Sequence, residues 1–327
     1  MQHFAILGCG AWSLSIANVF NENNHQTTVW CHDKNLANQI NQHHKLSHLP
    51  NVDIHPRIKA TTLLTECIDN KVGIIIGVAS PFINIIDQLP QNLNTQILIL
   101  TKGFYQNKKS PFIFDYVQNQ FPQSHISVLS GPNLAQEINE QKPAATVIAS
   151  KNIKNANFFQ KHLSNDYLRV YTSTDLTGVT LGGILKNSMA IAGGCIDGLN
   201  LGMNAKAAFL SRSLQEIIRI GCFLGGKKET FFGLSGLGDL ITTANSSLSR
   251  NWKVGHALAN GTDFSAQLNE TGSVAEGIKT CKFMYELCQK NNIEAPITKE
   301  LHAMLFHNKN PQQAIKDLMN RKLKEES

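Results

Sequence analysis

Residues 4–20 read FAILGCGAWSLSIANVF and predict an apolar strand, a glycine turn and a helix with small and apolar residues on one face. In such a turn Gly8 permits the sharp change of direction, and Gly10 removes the side chain that would strike a ligand. The N–H groups at the start of the helix then bind a pyrophosphate. Ser13 replaces the third glycine of the dinucleotide-binding pattern but is small enough for close helix–strand packing. The stretch therefore predicts a dinucleotide site, with an ordinary strand–turn–helix connection as the alternative.

The rest of the first half alternates apolar strands with helical segments. Apolar runs of strand length occur at 3–7, 26–30, 72–78, 96–100, 126–129, 145–149 and 168–171. Several are continuous in Ile, Val and Leu, which is typical of strands covered on both faces, so the pattern predicts a parallel, doubly wound sheet. Beyond Thr172 the strand signal stops and helical periodicity begins. We therefore expect a dinucleotide-binding domain at 1–173 and an all-helical substrate domain at 174–327.

Glycine-containing or polar loops follow three of the predicted strands. These loops begin with Ala79-Ser80-Pro81, Thr101-Lys102-Gly103 and Ser130-Gly131-Pro132-Asn133. Ligands of open α/β sheets bind outside the carboxyl ends of the strands, so the three loops should line one crevice with the glycine turn. For each loop taken singly, ordinary turn chemistry is the alternative.

The charge and the cysteine content favour a small-molecule partner inside the cell. The chain has 327 residues and a formal net charge of +6, with its basic residues spread along the sequence rather than in the basic stripe of a nucleic-acid-binding protein. We expect small anions such as nucleotides or sugar phosphates as partners. The seven cysteines include no CxxC pair and no zinc-ligand spacing, which predicts buried thiols in a reducing cytoplasm and no metal site. We expect no signal peptide and no membrane span, the stretch 176–196 being the nearest to one.

A single lysine lies in the most apolar helical stretch. Between Asp175 and Asp197, Lys186 is the only ionisable side chain, and small or apolar residues surround it on nearly every side of the predicted helix. A buried lysine needs a partner, and burial would lower its pKa toward the working range of a general acid or base. The alternative is a lysine whose long side chain reaches the surface.

A glycine-dense loop and a polar segment supply further candidates. Residues 233–240 read GLSGLGDL and bring Asp239 to a backbone that can approach another element closely, so this carboxylate is the expected partner of Lys186. Further along, Arg250 offers a planar fork for a phosphate, with hydrogen-bonding side chains on either side of it. The alternative is a helix-capping loop with a surface arginine.

Together these segments resemble the bacterial NAD(P)-dependent glycerol-3-phosphate dehydrogenases over almost the whole chain. The resemblance is carried by blocks in the family's order and at its spacing: 8–12, 101–103, 130–132, 181–187, 236–240, 249–251 and 274–277. It implies an α/β fold, with a Rossmann-like doubly wound domain followed by an all-helical substrate domain. It also implies reversible hydride transfer between NAD(P)H and dihydroxyacetone phosphate, which gives glycerol 3-phosphate for phospholipid synthesis.

The resemblance also implies roles for individual residues. Lys186 corresponds to the proton acceptor in alcohol oxidation, with Asp239 as its catalytic neighbour. The substrate-binding positions are Lys102, Gly131, Asn133, Lys186, Asp239, Ser249, Arg250 and Asn251. The cofactor-binding positions are Gly8, Gly10, Ala11, Trp12, His32, Lys102, Ala135, Arg250, Val274 and Glu276. Asn133 and Trp252 stand where the family more often has a hydroxyl residue and a basic residue.

The end of the second predicted strand bears on the choice of cofactor. NAD-specific sites usually place an acid there for the ribose hydroxyls, and here Asp33 is flanked by His32 and Lys34. Our hypothesis is that NADPH is accepted, with a preference for NADPH as one option and use of NADH, which Asp33 allows, as the other.

Other functions remain as alternatives at this stage. A β-hydroxyacid dehydrogenase also joins such a domain to a helical one, but it acts on carboxylates, whereas the segment 249–251 favours a phosphate. A nucleotide-sensing regulator would lack Lys186 or Asp239, and a methyltransferase gives no role to a buried lysine. The sequence leaves the oligomeric state open, with a homodimer as one option.

Overall fold

The amino-terminal stretch folds as predicted into strand β1 (His3–Leu7), the glycine turn and helix α1 (Ala11–Glu22). The structure is a computed structural model that describes residues 1–105, 110–262, 276–323 and 325–326. The chain forms two compact units, Met1–Thr180 and Leu181–Ser327. The expected domain boundary at Ser173 lies just before the helix in which this division falls, and it stays a prediction.

The amino-terminal unit is built around an eight-stranded sheet. Its other strands are β2 (Gln26–Trp30), β3 (Lys59–Thr61), β4 (Gly73–Ile76), β5 (Gln96–Ile99), β6 (His125–Ser130), β7 (Ala144–Ala149) and β8 (Leu168–Ser173). They lie in the order β3-β2-β1-β4-β5-β6-β7-β8. Every strand except β3 coincides with a predicted apolar run. Strand β3 has the sequence Lys-Ala-Thr and therefore gives no apolar signal.

The direction of the strands changes once across the sheet. The neighbouring strands from β3 to β6 are all parallel, as predicted. The expectation of a wholly parallel sheet is wrong at β7, which pairs antiparallel with β6 and parallel with β8. The β6–β7 connection contains only helix α5 (Ala135–Asn139), whose five residues span about 7.5 Å. Parallel crossovers usually return along the sheet through a longer helix, whereas here the chain enters β7 at the end where it left β6.

Both faces of the sheet are covered, which explains the continuous apolar runs. Alternate residues of a strand point to opposite faces, and in β1 both sets are buried. Phe4 and Ile6 belong to a core cluster with Phe20 of α1. Ala5 and Leu7, which point the other way, are completely buried as well. Right-handed crossovers put α1 on one face, where α5 and the later helix Ile153–Leu163 share its core cluster, and put the helix Leu64–Ile68 that follows β3 on the other face, so the sheet is doubly wound.

The remaining elements are helical. In the amino-terminal unit they are α2 (Lys34–His43), α3 (Leu64–Ile68), a 3-10 helix (Ser80–Gln88), α4 (Ile113–Gln120) and α6 (Ile153–Leu163). The next helix, α7 (Leu176–Gly198), runs into the carboxyl-terminal unit. That unit continues with α8 (Gly202–Phe223), α9 (Lys228–Phe231), a π-helical turn (Leu234–Gly238), α10 (Asp239–Ala244), α11 (Arg250–Ala259), α12 (Glu276–Asn291), α13 (Pro296–His307) and α14 (Pro311–Met319). Its described residues contain no strand, in agreement with the predicted helical domain.

Helix α7 is the core helix of the carboxyl-terminal unit. By length and composition it could cross a membrane, contrary to the expectation that no stretch approaches such a span, but 94% of its most apolar window is buried inside the protein. Glycines let other segments approach its backbone. A Cβ on Gly182 would lie 2.5 Å from the Ser235 carbonyl oxygen, and one on Gly194 would lie 2.0 Å from the Trp252 carbonyl oxygen. The segments that carry Asp239 and Arg250 therefore pack directly against α7.

Candidate active site

The glycine turn forms a cradle at the start of α1. Gly8 has a φ of +109°, and a Cβ there would lie 3.1 Å from the Val78 nitrogen, so both conformation and space require glycine. Gly10 is the N-cap of α1, and a Cβ there would meet no other described atom within 4 Å. The first turn of α1 has no acidic residue and no side-chain cap. Its backbone N–H groups are therefore available to an anion, which fits the pyrophosphate of a dinucleotide.

The residues after the turn hold α1 close to the sheet. Ser13 Oγ donates to the Gly77 carbonyl oxygen over 3.2 Å, and a Cβ on Gly77 would lie 2.1 Å from that same Oγ. Ser13 thus permits the close packing that the third glycine of the pattern would give. Trp12, beside the first helical residue Ala11, has a buried indole N–H with no hydrogen-bond acceptor among the described residues. A buried donor of this kind marks a place where a ligand atom can be accommodated.

The structure brings the predicted strand-end loops together. Thr101 Oγ1 donates to the Val78 carbonyl oxygen over 2.7 Å, which ties the loop after β5 to the loop after β4. Lys102 Nζ donates to the Gly131 carbonyl oxygen over 3.3 Å, which ties it to the loop after β6. Gly131 has a φ of +147°, and a Cβ there would lie 3.0 Å from Thr146 Oγ1. Lys102 therefore presents a positive charge at the carboxyl ends of the central strands, as predicted.

Asn133 is the clearest unsatisfied polar group in this loop cluster. Both polar atoms of its side-chain amide are buried, and neither has a hydrogen-bond partner among the described residues. Leaving such a group unpaired costs about 1–3 kcal/mol, so its retention points to a ligand that supplies the missing partners. Ala135 follows at the start of α5, where its carbonyl oxygen accepts a hydrogen bond from Ser15 of α1 over 3.2 Å. The loop after β6 is thus joined to the helix of the glycine turn.

The acid at the end of β2 is engaged by the backbone. Asp33 is the N-cap of α2, and its Oδ1 accepts hydrogen bonds from Asn35 N over 2.8 Å and from Leu36 N over 3.1 Å. His32 and Lys34, on either side of it, are exposed. The local arrangement is therefore a capped helix start between two basic side chains.

In the carboxyl-terminal unit, Lys186 is buried and paired with Asp239. Lys186 Nζ donates to Asp239 Oδ1 over 2.8 Å, and the two side chains are 7% and 2% exposed. Lys186 Nζ also lies 2.5 Å from Thr243 Oγ1, which in turn donates to Asp239 Oδ1 over 3.1 Å. The lysine does not reach the surface, so the alternative drawn from the sequence is wrong.

Thr243 is a member of this cluster that the sequence did not reveal. It lies four residues after Asp239 on α10, so both side chains point to the same face of the helix. The i, i+4 spacing from a predicted carboxylate was the available signal. It could not be used without knowing that α10 begins at Asp239.

The polar segment around Arg250 forms the cap and the first residue of α11. Ser249 is the N-cap of α11, and its Oγ accepts a hydrogen bond from Trp252 N over 3.2 Å. Arg250, the first residue of α11, is exposed. The capping alternative therefore describes this segment correctly. It leaves the Arg250 guanidinium at the positive end of a helix, where an anion is favoured.

Asn251 is held by a buried polar network. Its Nδ2 donates to Asn187 Oδ1, and its Oδ1 accepts from Gly277 N, both over 3.1 Å. A Cβ on Gly277 would lie 2.5 Å from the Asn187 carbonyl oxygen, so α12 begins in close contact with α7 next to Lys186. Glu276 is the first residue of α12. Val274, the other predicted cofactor contact in this segment, lies outside the described residues.

The comparison with protein families agrees with this arrangement. The family model described as the NAD-dependent glycerol-3-phosphate dehydrogenase N-terminus matches residues 3–156, and that of the C-terminus matches residues 175–316. This chain belongs to the NAD-dependent glycerol-3-phosphate dehydrogenase family. The resemblance inferred from the sequence blocks is thereby confirmed, and the matches favour this family over the β-hydroxyacid dehydrogenases.

Individual glycerol-3-phosphate dehydrogenases are similar to the chain over its full length. The NAD(P)+-dependent enzyme of Bacillus velezensis is 38% identical over 98% of this chain and 95% of its own. That of Thermoanaerobacter sp. is 39% identical, covering 98% of both chains. The crystal structure of glycerol-3-phosphate dehydrogenase from Coxiella burnetii superposes with a TM-score of 0.90 at 34% identity, covering 98% of this chain and 99% of that one.

Proposed function

We propose that this protein catalyses reversible hydride transfer between NAD(P)H and dihydroxyacetone phosphate, which gives sn-glycerol 3-phosphate for phospholipid synthesis. The observation that carries the proposal is the buried Lys186 side chain, hydrogen-bonded to Asp239 and Thr243 from within a predominantly apolar helix. Its position in a chain of the glycerol-3-phosphate dehydrogenase family supports a role in the reaction rather than in packing alone.

The proposed role of Lys186 is proton transfer to and from the substrate oxygen. As a secondary alcohol becomes a ketone, its hydroxyl proton must leave, and in the reverse direction the developing alkoxide must be protonated. In the first direction Lys186 Nζ accepts the proton as the uncharged amine, and in the second direction it donates a proton as the ammonium. Asp239 and Thr243 hold Nζ in one place and compensate its charge in apolar surroundings. A bound nicotinamide supplies the hydride acceptor or donor.

The remaining predicted residues bind and orient the dinucleotide and the substrate. The α1 cradle at Gly10 and the unpaired indole N–H of Trp12 support binding of the dinucleotide. Lys102 and the unpaired amide of Asn133 support binding of a polar, anionic substrate. Arg250 at the start of α11 supports recognition of the phosphate group. Ser249 and Asn251 keep Arg250 in position at the first turn of that helix, in addition to their predicted substrate contacts.

We propose NADPH as the preferred cofactor. Two backbone N–H groups already donate to Oδ1 of Asp33, which leaves one oxygen of this carboxylate for the ribose hydroxyls that an acid at this position binds in NAD-specific sites. The exposed side chains of His32 and Lys34 favour the additional phosphate of NADPH. The ratio of kcat/KM for the two reduced cofactors tests this, and a large preference for NADH would contradict it.

The test of the reaction follows the absorbance of reduced cofactor after dihydroxyacetone phosphate is added. We expect Lys186→Met to lower kcat by at least about 1,000-fold, because general acid–base catalysis is lost, while NADPH binding stays within about twofold. Lys290→Met removes an exposed lysine on α12 and serves as the matched control with wild-type turnover. Turnover of a carboxylate substrate but not of dihydroxyacetone phosphate would support the β-hydroxyacid alternative instead.

We also propose that the protein acts in the cytoplasm and forms a homodimer. No disulfide joins any of the seven cysteines, all of which lie in the described residues, and this suits a reducing compartment. Large apolar side chains of the carboxyl-terminal unit are exposed, among them Phe223, Phe232 and Ile241. Light scattering on the purified protein distinguishes a dimer from a monomer.

A further inference from the structure

A second buried lysine, Lys206 in the first turns of α8, has its ammonium group completely enclosed by acceptors. Lys206 Nζ donates to Asp197 Oδ2 over 2.6 Å and to the carbonyl oxygens of Gly193 and Ala244, each over 2.8 Å. An ammonium has three N–H donors, and all three are used. The residue is 2% exposed, so its charge is kept in the interior at a cost that these three bonds offset.

The three acceptors come from the two helices that carry the catalytic candidates. Gly193 and Asp197 lie on α7, downstream of Lys186. Ala244 is the last residue of α10, directly after Thr243, and its carbonyl is at the negative end of that helix, where a cation is favourable. A Cβ on Gly193 would lie 3.0 Å from the Cβ of Ala244 and 3.1 Å from its carbonyl oxygen, so the end of α10 packs closely against the backbone of α7. Lys206 thus joins the end of α10 to α7.

The same network extends to α11 through a shared carboxylate. Asp197 Oδ2 also accepts a hydrogen bond from Trp252 Nε1 over 2.6 Å. Trp252 lies two residues after Arg250, and its backbone contacts α7 at Gly194. Lys206 and Asp197 therefore connect α7 with α10 and with the first turn of α11, the three elements that carry Lys186, the Asp239–Thr243 pair and the candidate phosphate-binding residues.

Lys206 is too far from Lys186 to exchange a proton with the same atom. Gly193 is seven residues after Lys186, which corresponds to about 10 Å along α7. An effect of Lys206 on turnover must therefore pass through the helices that it joins. Small displacements of a general acid or base lower reaction rates steeply, because proton transfer requires hydrogen-bonding distance.

We infer that Lys206 is a positioning residue for the reaction: its ammonium, through Gly193, Asp197 and Ala244, sets the placement of α10 and α11 against α7. The inference rests on the proposed function for its kinetic consequence. A residue that served stability alone would lower the melting temperature and leave the kinetics of the folded enzyme unchanged.

The test compares Lys206→Met and Asp197→Asn with the wild type, at a temperature where each is folded. For Lys206→Met we expect kcat for reduction of dihydroxyacetone phosphate to fall about 10- to 100-fold, with the Kd for NADPH within about twofold. Because misplacement slows the chemical step, the isotope effect on kcat with the 4-deuterated reduced cofactor should rise. Asp197→Asn keeps an acceptor for Trp252 and weakens only the lysine contact, so we expect the same changes at smaller size.

Hydrogen exchange supplies a measurement that does not depend on turnover. Lys206→Met should accelerate amide exchange in residues 239–252, with the strands of the amino-terminal unit unchanged. Glu216→Gln, a buried substitution elsewhere on α8, is the matched control and should leave exchange in 239–252 as in the wild type. If Lys206→Met does not fold, the same measurements of kcat, isotope effect and amide exchange on Asp197→Asn test the inference.

The outcomes separate this inference from the proposed function. A wild type that does not reduce dihydroxyacetone phosphate contradicts the proposed function, and hydrogen exchange then still supports or overturns the connection of α7, α10 and α11. The inference is overturned if the wild type is active and Lys206→Met folds with the kcat, isotope effect and amide exchange of the wild type. Lowered kcat with faster exchange in 239–252 supports it.

Discussion

At the scale of single residues, Arg250 separates binding of the phosphate from the chemistry. Arg250 is exposed at the start of α11, whereas the Lys186–Asp239 pair is buried. We expect Arg250→Ala to raise the KM for dihydroxyacetone phosphate by about 10- to 100-fold, because a charged hydrogen bond to the phosphate is lost. Initial rates over a range of substrate concentrations measure this.

The matched control for Arg250 is Lys253→Ala, which removes another exposed cation from the same helix. It should leave the KM for the substrate near the wild-type value. An equal rise in both variants would show that the general positive charge of α11, rather than the guanidinium, attracts the substrate.

We expect the Asn133 amide to favour substrate binding at the expense of the stability of the unliganded protein. Because both polar atoms of its amide are buried without a partner, Asn133→Ala removes a group that costs free energy in the unliganded protein. We expect the free energy of unfolding to stay the same or rise by about 1 kcal/mol, while the KM for dihydroxyacetone phosphate rises. Urea unfolding and steady-state kinetics measure the two effects. A clear loss of stability would mean that the amide is already satisfied without substrate.

Sequence reasoning identified those residues whose chemistry conflicts with their surroundings. Lys186 stood out because it is charged in an apolar helix, and its pairing with Asp239 followed from the need to compensate that charge. Thr243 and Lys206 gave no such signal. A threonine in a helix is ordinary, and Lys206 follows a segment of mixed polarity (200–205), so only the tertiary structure shows that each is buried against a charged group.

At the scale of helices and strands, Glu216 makes the stability of α13 depend on pH. Its carboxylate on α8 accepts hydrogen bonds from the N–H groups of Ile297 and Thr298, over 2.6 and 3.0 Å, and so caps the start of α13. Burial raises the pKa of Glu216 to about 7, in spite of these hydrogen bonds, which lower it. Between the ordinary pKa of a glutamate and pH 7, the folded protein therefore holds a proton that the unfolded chain has lost.

That difference fixes the direction of the pH effect. Where the folded state binds more protons than the unfolded state, the free energy of unfolding falls as pH rises. We expect the wild type to lose about 2–3 kcal/mol relative to Glu216→Gln between pH 4.5 and 7.5, because only the wild type must ionise this buried group. Urea unfolding of both proteins across this range measures the difference, and a constant difference would contradict the raised pKa.

The sheet shows which features of an element its sequence can predict. The runs that became β1, β4 and β5 were readable because burial on both faces makes every residue apolar. The reversal at β7 could not be predicted, since an apolar run has the same pattern whichever way the strand runs in the sheet. It accompanies a connection whose only helix is the five-residue α5, and the sequence does not mark where so short a helix begins and ends.

At the scale of the whole molecule, both units carry residues that match the family's cofactor contacts. The glycine turn, His32 and Ala135 belong to the amino-terminal unit, whereas Arg250 and Glu276 belong to the carboxyl-terminal unit. The family models likewise cover both parts of the chain. If these positions all contact the cofactor, NADPH stabilises the folded form of each unit whose residues it contacts.

Hydrogen exchange with and without NADPH tests whether the cofactor contacts these positions in each unit. We expect NADPH to slow amide exchange at the start of α1 and also at the starts of α11 and α12. Gly10→Val should abolish the protection in both units while leaving the unliganded protein folded, because its Cβ would meet open space and its φ of −71° suits any residue. Gly8→Ala, by contrast, should destabilise the protein itself, since Gly8 has a φ of +109° against the backbone of Val78. Protection confined to the amino-terminal unit would mean that Arg250 and Glu276 do not bind the cofactor, and Arg250 would then keep its proposed substrate role alone.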